Sequence, residues 1–285
     1  MKNKNKKKNK TIILTGSSGI IGKSLKIFLK KKYLNLILLE GSQKKKNTKN
    51  LKEILDLNFV DCLIHLAGKD DYNSSSQEEI IKKNIHLDKQ VSQIVKKLKI
   101  PHIIFASTNR VYEGSKKSFI SEKTKVYPQS VYAKSKLNSE KIFTKLNSKI
   151  TILRIPSVLS KYSRKGLIYF TIRKMIKNKN IEIYNPSSLF NNVITQEDLN
   201  KIIYFIISKE KKLKKKEIIN INSVNPIKFD KIIKHLLKKI NSNSKIIIKK
   251  KSLTSKIYSN KYQKKIFNFK VNSVKRSLNY YLNDF

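Results

Sequence analysis

Tyr132 and Lys136 stand four residues apart in Tyr-Ala-Lys-Ser-Lys, inside a stretch whose pattern predicts a helix over about 129–146. Both side chains therefore share one helix face. An ammonium beside a phenol favours the phenolate and lowers the tyrosine pKa. A tyrosine tuned this way can take a proton from, or give one to, a sugar hydroxyl or carbonyl near neutral pH. The lysine can also hydrogen-bond a ribose. Upstream, Phe105-Ala106-Ser107-Thr108 ends an apolar run that reads as a strand. Open α/β sheets bind ligands beyond the carboxyl ends of their strands. A hydroxyl at Thr108 would complete a donor pair with Tyr132 around one substrate oxygen. Tyr–Lys pairs at this spacing also occur on solvated helices, so the pair needs a second feature to carry weight.

That feature is Thr-Ile-Ile-Leu-Thr-Gly-Ser-Ser-Gly-Ile-Ile-Gly at 11–22. An apolar run ends at Thr15, and Gly16, Gly19 and Gly22 follow at intervals of three. Residues 23–29 then continue at helical period. Strand, tight glycine turn and helix succeed one another within twenty residues. Glycines let backbone N–H groups approach a pyrophosphate, which also sits at the positive end of a helix. The chain has only seven glycines, and three of them fall here.

The elements that must position these groups follow in alternation. Strands are expected at 34–39, at 59–66 (closing with Ala67-Gly68), from 101, and at 150–155. Helices are expected at 50–57, 76–99 and 129–146. Strands alternating with helices imply a parallel sheet with right-handed crossovers, hence an α/β, doubly wound dinucleotide-binding fold. After about residue 175 the rhythm changes. Helices are expected at 165–178, 198–209 and 228–240, with short strands at 218–221 and 246–248. The expected organisation is a disordered basic tail over 1–10, a dinucleotide-binding domain over 11–175, and a smaller α/β lobe over 176–285 that covers the substrate.

Composition excludes several classes. The net charge is +45, and of 64 basic residues only Arg110, Arg154, Arg164, Arg173 and Arg276 are arginine. The lysines are spread along the whole chain. Arginine and aromatic side chains, which would carry base contacts and stacking, do not cluster with them. A specific nucleic-acid reading is therefore disfavoured, although non-specific polyanion affinity is expected. Cys62 is the single cysteine and lies in an apolar run, so no internal disulfide exists and the thiol reads as a small buried hydrophobe. His65, His86, His102 and His235 have no metal-ligand spacing. No apolar run reaches the roughly 18–20 residues of a membrane span. The expected location is the cytoplasm.

Taken in order, these motifs resemble the NAD-dependent epimerase/dehydratase family of extended short-chain dehydrogenase/reductases, over about residues 11–205. The resemblance rests on 15–22, on Asp-Cys-Leu-Ile-His-Leu-Ala-Gly at 61–68 and on Ser-Thr-Asn-Arg-Val-Tyr at 107–112. It continues through Pro-Gln-Ser-Val-Tyr-Ala-Lys-Ser-Lys at 128–136, trailed by Glu140, Leu-Arg-Ile-Pro at 153–156 and Asn-Val-Ile-Thr-Gln-Glu-Asp-Leu at 192–199. It implies a Rossmann fold and a role for each matching residue. Tyr132 would be the general acid/base, and Lys136 its electrostatic partner and ribose contact, with both also touching the cofactor. Thr108 would bind the reacting oxygen, with Ser107 beside it, and Asn84 would complete the set. Gly16, Ser18, Gly19, Ile20, Ile21 and Gly22 would cradle the pyrophosphate, with Leu66, Ala67 and Gly68 across the groove. Pairing through helices 76–99 and 129–146 into a homodimer is a further implication.

Glu40 ends the second strand. A carboxylate there accepts hydrogen bonds from a ribose diol and repels a 2′-phosphate, which argues for NAD. Lys44, Lys45 and Lys46 could attract that phosphate, so NADP stays open. The usual third strand is missing between Glu40 and Asp61. Family members acting on UDP-sugars often have Asn where Ser157 stands and Arg near Asn191, which makes these two the substrate-side positions. Asn191 cannot clamp a diphosphate as an arginine would. Lys161, Arg164 or Lys165 could replace it. Asp198 is expected to cap the helix that follows.

Three readings result. The first is an NAD-dependent epimerase or dehydratase acting on a nucleotide-diphosphate sugar through a keto intermediate. The second is a one-way keto-sugar reductase using NADPH with the same tyrosine. The third is a non-catalytic dinucleotide-binding scaffold, which has no need of Thr108, Tyr132 and Lys136 together.

Overall fold

The computed structural model describes residues 8–39, 54–69, 77–249 and 255–285. Its first unit comprises the chain to Gly114, Lys125–Ile155 and Leu199–Ile219; its second comprises Ser115–Thr124, Pro156–Asp198 and Asn220–Phe285.

The first unit is built on β1 (Lys8–Thr15), β2 (Tyr33–Leu39), β3 (Cys62–His65), β4 (His102–Thr108), β5 (Lys149–Ile155) and β6 (Lys216–Asn220). They form one six-stranded sheet in the order β6-β5-β4-β3-β1-β2. The pairs β1–β2, β1–β3, β3–β4 and β4–β5 are parallel. Its helices are α1 (Ile20–Lys30), α2 (Gln77–Lys97), α3 (Val131–Thr144) and α4 (Gln196–Ser208). Every residue of β3 and β4 is buried, the signature of parallel strands covered on both faces. Ile13, Leu63, Ile103, Phe105, Phe143 and Ile152 fill one core cluster. Phe105 and Phe143 meet at a centroid distance of 4.9 Å.

The strand order fixes where a ligand can sit. From β1 the chain goes first to β2 on one side and then to β3 on the other. Their carboxyl ends therefore flank a topological switch point, where such sheets bind ligands. Among the described residues β2 is the sheet's edge, with no strand beyond it.

Two expected boundaries differ from this structure. Strand β1 begins at Lys8, inside the stretch expected to be a disordered tail, because Lys8 still pairs with Tyr33 of β2. The division expected at 175/176 also falls elsewhere. The chain leaves the sheet after Ile155 and returns at Leu199–Ile219 to supply its last strand.

The second unit is held by short ladders: Ser157–Leu159 with Val193–Thr195, Ile181–Ile183 with Ile246–Ile248, Leu189–Phe190 with Ile227–Lys228, and Phe119–Ile120 with Ile257–Tyr258. Helices Leu167–Ile176, Phe229–Ile240 and Val274–Leu282 pack a core of Ile172, Met175, Ile183, Ile232, Leu236 and Leu278. Asp198 does not cap α4 as expected. The helix starts earlier, and Thr195 Oγ1 accepts the Asp198 N–H at 3.1 Å. The Asp198 carboxylate instead accepts the Asn272 N–H at 3.0 Å.

Candidate active site

At the end of β1 the backbone turns through Gly16 in the left-handed region, with φ +70. A Cβ on Gly16 would lie 2.6 Å from the Ala67 nitrogen, and one on Gly22 would lie 2.0 Å from the Gly16 carbonyl oxygen. Both positions therefore require glycine for the turn itself. Gly19 differs, because a Cβ there would meet only the Gly16 oxygen, at 3.4 Å. Ser18 and Gly19 are exposed, and Ile20, Ile21, Leu66 and Ala67 are half-buried. Gly19 is the N-cap of α1 and provides no side-chain cap to its first turn. An exposed glycine N-cap at the start of a helix, on a turn that only glycine can make, fits a dinucleotide pyrophosphate.

The catalytic candidates collect beside it. Thr108 ends β4 and caps the short helix Asn109–Tyr112, its oxygen accepting the Arg110 N–H at 3.2 Å. Tyr132 and Lys136 lie one turn apart on α3, which Ser130 caps by accepting the Ala133 N–H at 3.3 Å. Lys136 is buried, its ammonium 4.3 Å from the centroid of the Phe105 ring. A Cβ on Gly68 would stand 3.7 Å from Lys136 Nζ and 3.5 Å from Asn84 Oδ1. Asn84, on α2, fastens the chain after β3. Its Oδ1 accepts the Lys69 N–H at 2.8 Å and its Nδ2 donates to the Lys69 carbonyl at 3.0 Å. Nδ2 also lies 3.2 Å from Ser135 Oγ on α3. Thr108, Lys136, Asn84 and Tyr132 are thus brought to one end of the sheet.

Burial pushes the Lys136 ammonium down to about 8, against the opposing pull of the Asp88 and Glu140 carboxylates. A lysine at that value is still mostly charged at neutral pH, so it can favour a phenolate nearby.

Two buried networks that the motif reading gave no role hold these groups. In the first, Asp88 accepts from Ser139 and lies 2.8 Å from His65 Nε2. His65 Nδ1 lies 2.6 Å from Thr15 Oγ1, which accepts the Ala67 N–H at 3.3 Å. Burial lowers the His65 pKa, with Asp88 pulling the other way and the charge of Lys136 adding to the lowering. A neutral imidazole donating to Asp88 and accepting from Thr15 satisfies every contact. In the second, Arg154 donates to both oxygens of Glu140, at 3.1 and 2.7 Å, and to Tyr112 Oη at 2.5 Å. Ser107 Oγ donates to Glu140 at 2.5 Å. Ser107 is therefore turned into the protein behind Thr108. No single spacing marks either network, because each member comes from a different element.

The substrate-side expectations fare unevenly. Ser157 is exposed on its strand. Asn191 is fully buried, its Nδ2 donating to the Tyr258 carbonyl at 2.8 Å and its Oδ1 accepting the Tyr258 N–H at 3.1 Å. That amide clips one strand of the second unit, with one N–H and the oxygen committed to the Tyr258 backbone. Lys161 and Arg164 are exposed, and Lys165 is half-buried, its amine lowered by burial. Glu40, Lys44, Lys45, Lys46 and residues 50–53 of the expected helix 50–57 lie outside the described residues. Cys62 is buried and its thiol is raised by burial. Among the described residues no group of three or more His, Cys, Asp or Glu could hold a metal ion. No described helix is long and apolar enough to cross a membrane.

Residues 12–222 match the NAD dependent epimerase/dehydratase family. An uncharacterized protein of Methanocaldococcus jannaschii is 26% identical over 274 residues, covering 84% of this chain and 83% of its own length. The structure of MoeE5 in complex with UDP-glucuronic acid and NAD is similar with a TM-score of 0.78 at 15% identity, over 96% of this chain and 99% of that one. RMD from Pseudomonas aeruginosa complexed with NADPH is similar with a TM-score of 0.78 at 18% identity, over 97% and 99%.

Proposed function

The chain belongs to the NAD-dependent epimerase/dehydratase family, and within it we propose an enzyme that modifies a nucleotide-diphosphate sugar through a keto intermediate. The observation that carries this reading is the buried Lys136 ammonium one helical turn from Tyr132, at the sheet end that Thr108 and the glycine turn share. Thr108 oxygen accepts the Arg110 N–H, so its own proton is available to a sugar oxygen. Tyr132, as phenolate, takes the proton of a sugar hydroxyl, and the carbon–oxygen double bond forms. Returned to the carbonyl oxygen, the same proton regenerates the hydroxyl. Bound NAD supplies the hydride acceptor and donor for the carbon itself. Lys136 holds the charge that makes the tyrosine proton mobile, and Asn84 holds the Lys69 backbone beside it.

Recycling requires NAD to remain bound, and mass spectrometry of the denatured protein tests this. Stoichiometric NAD supports the epimerase or dehydratase reading. The second reading, a one-way keto-sugar reductase, is favoured by the NADPH held by the Pseudomonas aeruginosa relative and by Lys44–Lys46. A protein that purifies empty and then binds NADPH would select it and make Glu40 the weaker determinant. The cytoplasm is the proposed location of that work.

We propose a homodimer that pairs through α2 and α3. Lys82, Lys83, Lys89, Lys96, Lys97, Lys134 and Lys141 are exposed there. Symmetric pairing would face like charges, so added salt should strengthen the dimer in sedimentation equilibrium, and weakening by salt would argue against this interface.

A further inference from the structure

Resting on that role for Tyr132, we infer that Arg110 is a positioning residue: braced by Glu113 against the face of the Tyr132 ring, it favours the phenolate together with Lys136. The guanidinium carbon of Arg110 lies 5.5 Å from the centroid of that ring. A cation over an aromatic face is attracted by the ring's electron density. That density grows when the phenol loses its proton, so the contact is stronger to the phenolate.

The brace makes this more than a resting place for a long side chain. Arg110 Nε donates to Glu113 Oε1 at 2.5 Å. The other carboxylate oxygen accepts the Ser130 N–H at 2.9 Å and the Ser130 hydroxyl at 2.7 Å. Ser130 is the N-cap of α3, the helix that carries Tyr132. The backbone N–H of Arg110 meanwhile donates to Thr108 Oγ1 at 3.2 Å. One residue thus touches the donor hydroxyl with its backbone and the tyrosine ring with its side chain, and through Glu113 it reaches the start of the helix that holds the tyrosine. Burial works to raise the Glu113 carboxyl, but bonds from Ser130 and Arg110 outweigh it and hold the group below its ordinary value. The brace therefore persists at any pH where the tyrosine titrates.

The other buried charges around α3 are already engaged. On α3 itself Lys136 favours the phenolate, while Glu140 is engaged by Arg154 from β5. Asp88 on α2 is engaged by His65 of β3 and by Ser139. Glu113 offsets part of the Arg110 charge, and the Arg110 side chain is 36% exposed, so its effect is smaller than that of Lys136.

The test is a spectrophotometric titration at the phenolate band, with no substrate required. The chain has 13 tyrosines, so the signal of Tyr132 is the wild-type curve minus that of Tyr132→Phe. Arg110→Gln and Arg110→Ala, two neutral replacements of different size, should raise its midpoint by about half to one pH unit. Arg110→Lys, which keeps the charge, should restore most of the difference. Circular dichroism melts verify that each variant is folded. A lowered midpoint in the wild type that both neutral variants leave unmoved overturns the inference and leaves the reading of Tyr132 standing. A wild-type Tyr132 that titrates with ordinary phenols overturns the acid/base reading itself, and this inference with it.

Discussion

Arg154 grips Glu140 through two hydrogen bonds, at 3.1 and 2.7 Å, with both side chains only 5% exposed. The pair joins β5 to α3, and Ser107 of β4 donates into the same carboxylate. Burial disfavours the Arg154 charge, but the Glu140 contact outweighs it and raises the guanidinium pKa. Breaking one side of such a pair strands a buried charge. Glu140→Ala should therefore lose about 3–5 kcal/mol of unfolding free energy in urea titration. A joint replacement of both partners by apolar residues should cost far less. Equal losses would mean that the pair is no more than packing.

The glycine turn makes two predictions of opposite kind. Gly22→Ala forces a Cβ to within 2.0 Å of the Gly16 oxygen, so the turn cannot form and thermal stability should drop together with dinucleotide affinity. Gly19→Ala meets the same oxygen at 3.4 Å, so the protein should keep its melting temperature to within a few degrees. It should still bind dinucleotide more weakly, by about tenfold, the equivalent of about 1.4 kcal/mol in calorimetric titration.

Tyr132→Phe should bind dinucleotide with little loss and fall about 10²- to 10⁴-fold in turnover of any sugar nucleotide that the wild type accepts. Thr108→Val should fall in the same direction with a smaller loss, because it removes one donor to the substrate oxygen. Unchanged steady-state rates in Tyr132→Phe would remove the tyrosine from the chemistry.

Acid should weaken the first unit through a histidine that has no part in the chemistry. Burial, helped by the charges of Lys149 and Lys10, lowers His102 from 6.5 to about 4, and its Nε2 bonds Thr151 Oγ1 at 2.9 Å. Between those two pH values the unfolded chain binds a proton that the folded chain refuses. That stability is complete above about pH 6.5 and is lost as pH falls toward 4, the loss reaching about 3 kcal/mol. His65 is lowered in the same sense. His102→Gln should therefore flatten, but not abolish, the fall of stability with acid in denaturant titrations at pH 7 and 5.

The sheet and the cofactor turn were legible because their signals are local. Gly16, Gly19 and Gly22 sit in one turn, and Tyr132 and Lys136 sit on one helix face. Their supports were not legible for the opposite reason. Asp88 in a lysine-rich helix looks like the surface partner of a nearby cation, yet it bonds His65 and Ser139 from other elements. Glu113 reads as a polar turn residue, yet it holds the cap of α3. Phe119–Ile120 pairs with Ile257–Tyr258 over two residues, too short a run to carry a period. The bonds of the Asn191 amide to the Tyr258 backbone were not legible either, because a motif position describes a place in the chain and Tyr258 lies 67 residues away.

The return of the chain to the first unit has a consequence for synthesis. Sheet strands up to β5 are complete at Ile155, but the unit gains its last segment only with Leu199–Ile219. A nascent chain stopped anywhere between presents the outer edge of β5, whose residues after Lys149 are all buried in the finished fold. An exposed apolar edge of that kind recruits other strands. During translation this edge must wait, unpaired, until the ribosome has released the partner that lies beyond much of the second unit. Slow codons placed before Leu199 would prolong that wait, and fast ones would shorten it.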